Sequence, residues 1–262
     1  MIFLIAAIAF FASTIGAICG IGGGVIIKPV MDAFGVMDVS VINFLSGCTV
    51  LSMTCYSVIK AKRAGDSQIE FAIDTPLAIG AAIGGLAGKE LFGVVAKLFD
   101  NPNTAGAVQA GVLLLVVLGT LIYTLNKDKV PTKNVRNVLG CAAIGLVLGM
   151  SSAFLGIGGG PINLVVLFYF FSMPTKRAAQ SSLYIILFSQ AASTVASLVT
   201  GGAAGVDMLM LVVMACCGIL GGFAGRKVNS RIDDRAVDKL FIGLMVVIMG
   251  ICVFNMIKYM GV

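Results

Sequence analysis

The sequence predicts an all-α polytopic membrane protein made of two homologous repeats, and three observations support this prediction. The chain is 59% hydrophobic and only 11% charged, whereas a soluble domain carries roughly 25% charged residues. Apolar runs of about 20 residues, the length that spans a bilayer, recur along the chain. The pentapeptide Gly-Ile-Gly-Gly-Gly occurs twice, at 20–24 and 156–160. We therefore predict two repeats, the second inverted, each a glycine-broken helix or hairpin followed by three transmembrane helices.

The chain divides at its one polar linker. The first repeat is predicted over 1–126, a cytoplasmic linker over 127–136 and the second repeat over 137–262. In both halves a glycine-broken apolar stretch precedes three unbroken ones. The predicted segments are 1–34, 38–63, 71–88 and 105–125 in the first half, and 138–171, 174–200, 207–225 and 240–257 in the second.

The two glycine runs mark the predicted functional centre. Adjacent glycines weaken a helix and allow a ligand to approach the backbone closely. Inside a membrane, such a break persists only where protein or a watery cavity covers the freed backbone groups. After the second run, Pro161 suits the first turn of a new helix, so we expect a half-helix to begin there.

The duplication extends beyond the glycines. At an offset of 136, Ser46 aligns with Ser182. At an offset of 137, the stretch 84–89 (GGLAGK) aligns with 221–226 (GGFAGR). Each of these stretches contains a GxxxG pair, which lets helix backbones approach closely. That packing would lie within one chain or between two copies, which leaves a homodimer open.

The basic residues predict the orientation, because cytoplasmic loops are enriched in Lys and Arg. The stretches 60–70, 126–136, 172–177 and 226–239 together hold 14 of the 18 basic residues. If each glycine-broken stretch is a hairpin, all four face the cytoplasm. A plain eight-span layout would leave only 7 of these residues there. The hairpin layout also inverts the second repeat, as in many secondary transporters.

The residues near the breaks favour an anionic cargo. Free N–H groups and helix N-termini attract anions, and neutral amides and hydroxyls donate hydrogen bonds without trapping them. No acidic residue is expected deep in an apolar span, with Asp74 and Glu90 the only arguable cases. The predicted binding residues are Gly22, Gly23, Gly24, Lys28, Asn43, Ser46, Gly158, Gly159, Gly160, Asn163, Gln180, Ser181, Ser182 and Gln190.

Simpler interpretations apply to single members of this set. Each polar side chain taken alone is typical of a hydrogen bond between membrane helices. Lys28 would either add a positive charge to the anion site or extend its ammonium group to the membrane interface.

Other classes of function are disfavoured by what the sequence lacks. It has no histidine, which excludes Ser-His catalysis and histidine–metal sites. Neither glycine run fits a nucleotide-binding motif. The seven cysteines lie in apolar segments without metal-type spacing. We therefore expect no enzymatic activity, no cofactor and no metal. The net charge of +6 is assigned to cytoplasmic loops rather than to nucleic-acid binding.

Three sets of motifs resemble the TauE/SafE family, also called the sulfite exporter or toluene-sulfonate uptake permease family. They are the duplicated glycine runs at 20–24 and 156–160, the SSL at 181–183, and the GGxAG[KR] stretches at 84–89 and 221–226. The likeness covers nearly the whole chain. Each motif alone is weak, but the doubled and spaced set is fairly specific.

The resemblance implies a secondary transporter in the cytoplasmic membrane that carries sulfite, sulfoacetate or other organosulfonates without ATP. The first half departs from the pattern, since Val25 stands where Pro161 does and 45–47 (LSG) replaces 181–183 (SSL). The alternatives are a passive anion channel, a carrier of a non-sulfur organic anion and a structural membrane scaffold.

Overall fold

The computed structural model describes residues 2–35, 37–98, 102–157, 159–201 and 205–260. In these ranges the secondary structure consists of ten α-helices and a short 3-10 helix at Lys127–Lys129, without strands. The helices are α1 (Ile2–Cys19), α2 (Gly24–Phe34), α3 (Val39–Ala64), α4 (Phe71–Lys97), α5 (Pro102–Asn126), α6 (Val138–Phe154), α7 (Pro161–Phe171), α8 (Thr175–Val199), α9 (Met208–Asn229) and α10 (Asp234–Met260).

Both glycine runs interrupt a helix, as predicted. In the first, Gly20 and Gly22 each adopt a φ of +75°, a left-handed conformation that favours glycine. In the second, φ is +65° at Gly156 and +142° at Gly159. Gly23 differs, because its φ of −69° is helical. The first chain reversal therefore lies at residues 20–22, just before the start of α2.

Pro161 begins α7, as predicted from its fixed φ and missing N–H group. Asp207 caps the start of α9, where its carboxylate accepts a hydrogen bond from the backbone N–H of Leu209 at 2.9 Å. Gly158 lies outside the described residues.

The first broken stretch folds as a hairpin. Helix α1 runs parallel to α9, with the backbone of Phe10 against Gly221. Near the end of both helices, Asn229 donates a side-chain hydrogen bond to the carbonyl of Ile18 at 2.6 Å. Helix α2 then returns beside α10, where Asn255 donates to the carbonyl of Pro29 at 2.9 Å. The start of α1 and the end of α2 therefore lie at the same end of the molecule.

The second broken stretch is a hairpin that opens at the other end. Helix α6 runs parallel to α4, because Gly80 abuts the carbonyl of Ala142 and Gly88 abuts that of Met150. Helix α7 returns to the side from which α6 started. There the Ser172 hydroxyl donates to the carbonyl of Lys133 at 2.8 Å.

All four basic loops lie at one end of the molecule, as the hairpin layout predicts. Arg177 pairs with Glu70 at 2.6 Å, which joins 172–177 to the loop after α3. Lys127 pairs with Asp238 and so joins the linker to the loop before α10. We call this the basic end and the other the opposite end.

The helix contacts are compatible with two inverted repeats. Helix α1 packs on α9 as α6 packs on α4, α3 on α9 as α8 on α4, and α2 on α10 as α7 on α5. Exchanging the two halves therefore reproduces the same pattern. The long helices α3 and α8 contact each other between the halves.

The predicted close glycine packing occurs within the chain. Gly84 and Gly88 abut backbone carbonyls of α6, and Gly225 abuts the carbonyl of Thr14 in α1. These glycines are therefore used inside one copy, and a homodimer stays a prediction. Of the described helices, seven are long and apolar enough to span a membrane: α1, α3, α4, α5, α8, α9 and α10. The protein is a multi-pass membrane protein.

Candidate functional site

The two glycine breaks meet at the middle of the molecule. A Cβ atom at Gly24 would collide with the carbonyl oxygen of Ile157 in the opposite break, and one at Gly159 would lie 3.4 Å from the carbonyl oxygen of Ile21. Gly159 also abuts the side chain of Ile186, which lies near the middle of α8. The breaks therefore touch each other about halfway along the long central helices.

Each break also packs on the long helix of the other half. Gly20 abuts the backbone of Ala179 in α8. Gly156 abuts the side-chain amide of Asn43 in α3. Asn43 and Ala179 are related by the repeat offset of 136. The two contacts are therefore equivalent, although only the first half places a polar side chain there.

Three of the predicted polar residues lie at the breaks and are completely buried. The Ser46 hydroxyl lies 3.1 Å from the Cβ position of Gly24 and has no hydrogen-bond partner among the described residues. On the other side, Asn163 donates a hydrogen bond to the Ser182 hydroxyl at 3.4 Å. The remaining oxygen of Asn163 is also unpaired in the described part of the chain. Buried polar groups usually have partners, so this unused hydrogen-bonding capacity suits a small polar ligand.

Asn43 and Gln190 lie beside the second break and line a cavity that opens at the opposite end. The empty volume of this cavity is about 760 Å³, and its lining also includes Gly156, Lys89 and Ser197. Lys89 donates a hydrogen bond to the Ser197 hydroxyl at 2.5 Å. We call this space the outer cavity.

A second cavity opens at the basic end. Its empty volume is about 480 Å³, and Ser57, Lys176, Ala179 and Arg226 contribute to its lining. Since Ala179 also contacts Gly20, this space reaches the first break. We call it the inner cavity.

Gln180 and Ser181 point away from the breaks, although Gln180 lines the inner cavity. The side chain of Gln180 holds the loop after α3, accepting from the N–H of Gln68 at 2.9 Å and donating to the carbonyl of Asp66 at 3.3 Å. Ser181 is completely buried and lies beside Asp74 of α4. Successive residues of a helix point about 100° apart, so only Ser182 of these three neighbours faces the breaks.

Lys28 neither faces the breaks nor reaches a membrane interface. It is buried, with 4% of its surface exposed, and its ammonium group pairs with the Asp32 carboxylate at 2.6 Å. This pair lies one turn apart on α2, against Gln109 of α5 and Asn255 of α10. The charges of the pair therefore compensate each other. The burial of Lys28 contradicts the membrane-interface expectation, whereas its place in the anion site stays a prediction.

Two acidic residues are buried, but neither lies deep in a span, because Asp32 is in the last turn of α2 and Asp74 is in the first turn of α4. Asp32 is buried beside Lys28, and Asp74 is completely buried. Asp74 accepts a hydrogen bond from the N–H of Glu70 at 2.7 Å, so it satisfies a free backbone group at the start of α4. Glu90 is exposed. The case for an anion rests mainly on the hydrogen-bond donors at the breaks.

Sequence reasoning missed Ser13. This residue of α1 is completely buried, and its hydroxyl lies 3.1 Å from the Cβ position of Gly23. The hydroxyl has no hydrogen-bond partner in the part of the chain that the structure describes. Its spacing from Gly16, one turn along the same helix face, was the available signal.

Comparison with known protein families gives one match. The family model described as Sulfite exporter TauE/SafE matches residues 5–251. No curated protein and no solved structure matches the chain significantly.

Proposed function

Because this chain belongs to the TauE/SafE sulfite exporter family, we propose that it is a secondary transporter of small sulfur-containing anions such as sulfite, sulfoacetate and other organosulfonates. The family is a family of membrane transporters, and the chain is a multi-pass membrane protein. The observation that carries the finer proposal is the meeting of the two glycine breaks at mid-depth, with unused hydrogen-bonding groups around them.

The anion would bind between the breaks. Helices α2 and α7, of 11 residues each, both begin there. Their N-termini supply a partial positive charge to the same region. The Ser46 hydroxyl beside the start of α2 and the Ser182 hydroxyl beside Asn163 of α7 would donate to the anion oxygens. Neutral donors suit a carrier, because a fixed charge would hold the anion too tightly to release it.

The two cavities favour a carrier over an open channel. The inner cavity reaches the first break and the outer cavity reaches the second. Between them, Gly24 is pressed against Ile157. Transport would then need the halves, 1–126 and 137–262, to rock against each other around the breaks, as in other inverted-repeat transporters. A passive channel would instead conduct without this movement.

Ligand-dependent thermostability tests the proposed cargo. The protein in detergent is heated with sulfite, thiosulfate, sulfate, sulfoacetate, taurine or a sulfur-free carboxylate such as acetate, and the folded fraction is measured by size-exclusion chromatography. A bound anion at a hundredfold excess over its dissociation constant adds about 2.7 kcal/mol of stability. We expect sulfite or a sulfonate to stabilise the wild type, and the Ser46→Ala, Ser182→Ala double variant to lose this effect. Stabilisation by carboxylates alone would replace the proposal with a carrier of non-sulfur organic anions.

A further inference from the structure

The inner and outer cavities lie at opposite ends of the molecule but are built from equivalent helices. The inner cavity is lined by α1, α3, α8 and α9, and the outer cavity by α6, α8, α3 and α4. Exchanging the two repeats converts the first set into the second. The inner cavity reaches the first glycine break, and the outer cavity reaches the second.

The equivalence extends to single residues. Of the twelve described residues that line the outer cavity, eight have their counterpart in the inner cavity at an offset of 136 or 137. Ser193 corresponds to Ser57, and Ala153 corresponds to Ala17. So much agreement between two cavities at opposite ends indicates two copies of one feature.

Each cavity contains one basic residue that has a basic counterpart in the other cavity. Lys89 of the outer cavity corresponds to Arg226 of the inner cavity, and each ends a GGxAG stretch. Arg226 binds both oxygens of the Asp66 carboxylate, at 2.6 and 2.5 Å. Lys89 donates to the neutral hydroxyl of Ser197 and forms no ion pair within the described ranges. Lys89 therefore has no contacting carboxylate among the described residues, although its neighbour Glu90 acts on it at longer range. Arg226 is held by a carboxylate that an arriving anion would have to replace.

We infer that the inner and outer cavities are the two vestibules of one anion path, and that Arg226 and Lys89 are the residues that draw sulfonate-type anions into them. This inference rests on the proposed function, and it adds the route and the two recruiting residues. A cation in a cleft with low-dielectric walls raises the local concentration of anions by about tenfold or more. The symmetric pair would serve anions approaching from either side of the membrane.

Charged thiol reagents test the vestibules without requiring transport. Ser57→Cys and Ser193→Cys are made separately in a background without the seven native cysteines. Each variant is treated with a methanethiosulfonate that carries either a sulfonate or a trimethylammonium group, in right-side-out and inside-out vesicles. We expect the thiol at 193 to react from outside and the thiol at 57 to react from the cytoplasm. The preference for the sulfonate reagent is its reaction rate divided by that of the trimethylammonium reagent. At both positions this preference should be about tenfold higher than with a free thiol in solution. Reaction of both thiols from the same side would overturn the inference.

Charge removal assigns the recruiting residues. Lys89→Gln should abolish the preference for the sulfonate reagent at position 193 alone, and Arg226→Gln should reduce it at position 57 alone, where Lys176 still lines the cavity. Lys62→Gln, which removes an exposed charge outside both cavities, should leave both preferences unchanged. An unchanged preference in the Lys89 and Arg226 variants would refute their role.

A second matched pair covers the case in which the serine variants do not fold. Ala17→Cys and Ala153→Cys occupy equivalent positions in the two cavities and should give the same pattern. The labelling also separates the two proposals. Correct labelling without binding of any sulfur anion would refute the proposed cargo alone, whereas binding with incorrect labelling would refute the vestibules alone.

Discussion

The Gly16→Ala substitution tests whether the position of the first break controls transport. Gly16 lies within α1, near its end. An added Cβ atom would lie 2.5 Å from the backbone nitrogen of Gly23 and 2.6 Å from the carbonyl carbon of Gly22. Both neighbours are backbone atoms, so no side chain can rotate away. Restoring an ordinary contact of about 3.4 Å would move the break by about 0.9 Å.

The expected effects on stability and on function differ. Replacing glycine by alanine inside a helix contributes roughly 0.5–1 kcal/mol of stability, whereas overpacking costs about 1–3 kcal/mol. The protein should therefore fold with a modest net loss. Misplacing a binding group by about 1 Å can cost a hundredfold in rate. We accordingly expect the initial rate of radiolabelled sulfite uptake into proteoliposomes to fall at least about tenfold.

Gly243→Ala in α10 is the matched control. No atom lies within 4 Å of the Cβ position of Gly243, so this variant should transport like the wild type. If Gly16→Ala also transports at the wild-type rate, at equal amounts of reconstituted protein, the breaks are packing elements and the reasoning fails.

Three further predictions concern the breaks and the buried ion pair. Ser46→Ala and Ser182→Ala should each weaken anion binding by about 1.5–3 kcal/mol in ligand titrations, the value of a hydrogen bond to a charged group; unchanged affinity in both would remove these hydroxyls from the site. Gly159→Ala should reach the membrane but lose most transport, because φ is +142° there and the methyl group would meet Ile186; normal uptake would refute this. Lys28→Met should cost about 3–5 kcal/mol by leaving the Asp32 carboxylate buried and unpaired. Adding Asp32→Leu should restore most of the thermal stability and the transport; lost transport in this stable double variant would return Lys28 to the anion site.

Much of the architecture could be predicted from the sequence, because strong physical constraints act on short patterns. Adjacent glycines cannot hold a regular helix, so the breaks at 20–24 and 156–160 were readable directly. The basic loops predicted both hairpins, since membrane insertion sorts Lys and Arg to one side. The contact of Gly20 with Ala179 and that of Gly156 with Asn43 are related by the same offset of 136 that aligned Ser46 with Ser182.

The errors came from treating polar residues one at a time. Lys28 and Asp32 are four residues apart, a spacing that predicts an ion pair on a helix. Counting them separately left Lys28 free for a ligand. Gln180 and Ser182 are two residues apart, which places them on nearly opposite helix faces. Only the three-dimensional contacts between α8, α4 and α7 decide which of these faces meets the breaks.

Counterflow by the purified protein tests most directly whether opposed glycine breaks carry a sulfur-containing anion. Proteoliposomes are loaded with a high concentration of unlabelled sulfite and diluted into a trace of labelled sulfite. A carrier exchanges one anion for another, so the label should rise transiently above its equilibrium level, and this overshoot should develop at least about tenfold more slowly with Gly16→Ala. Entry of label at the same rate into empty and loaded vesicles, without an overshoot, would contradict the account and indicate a channel.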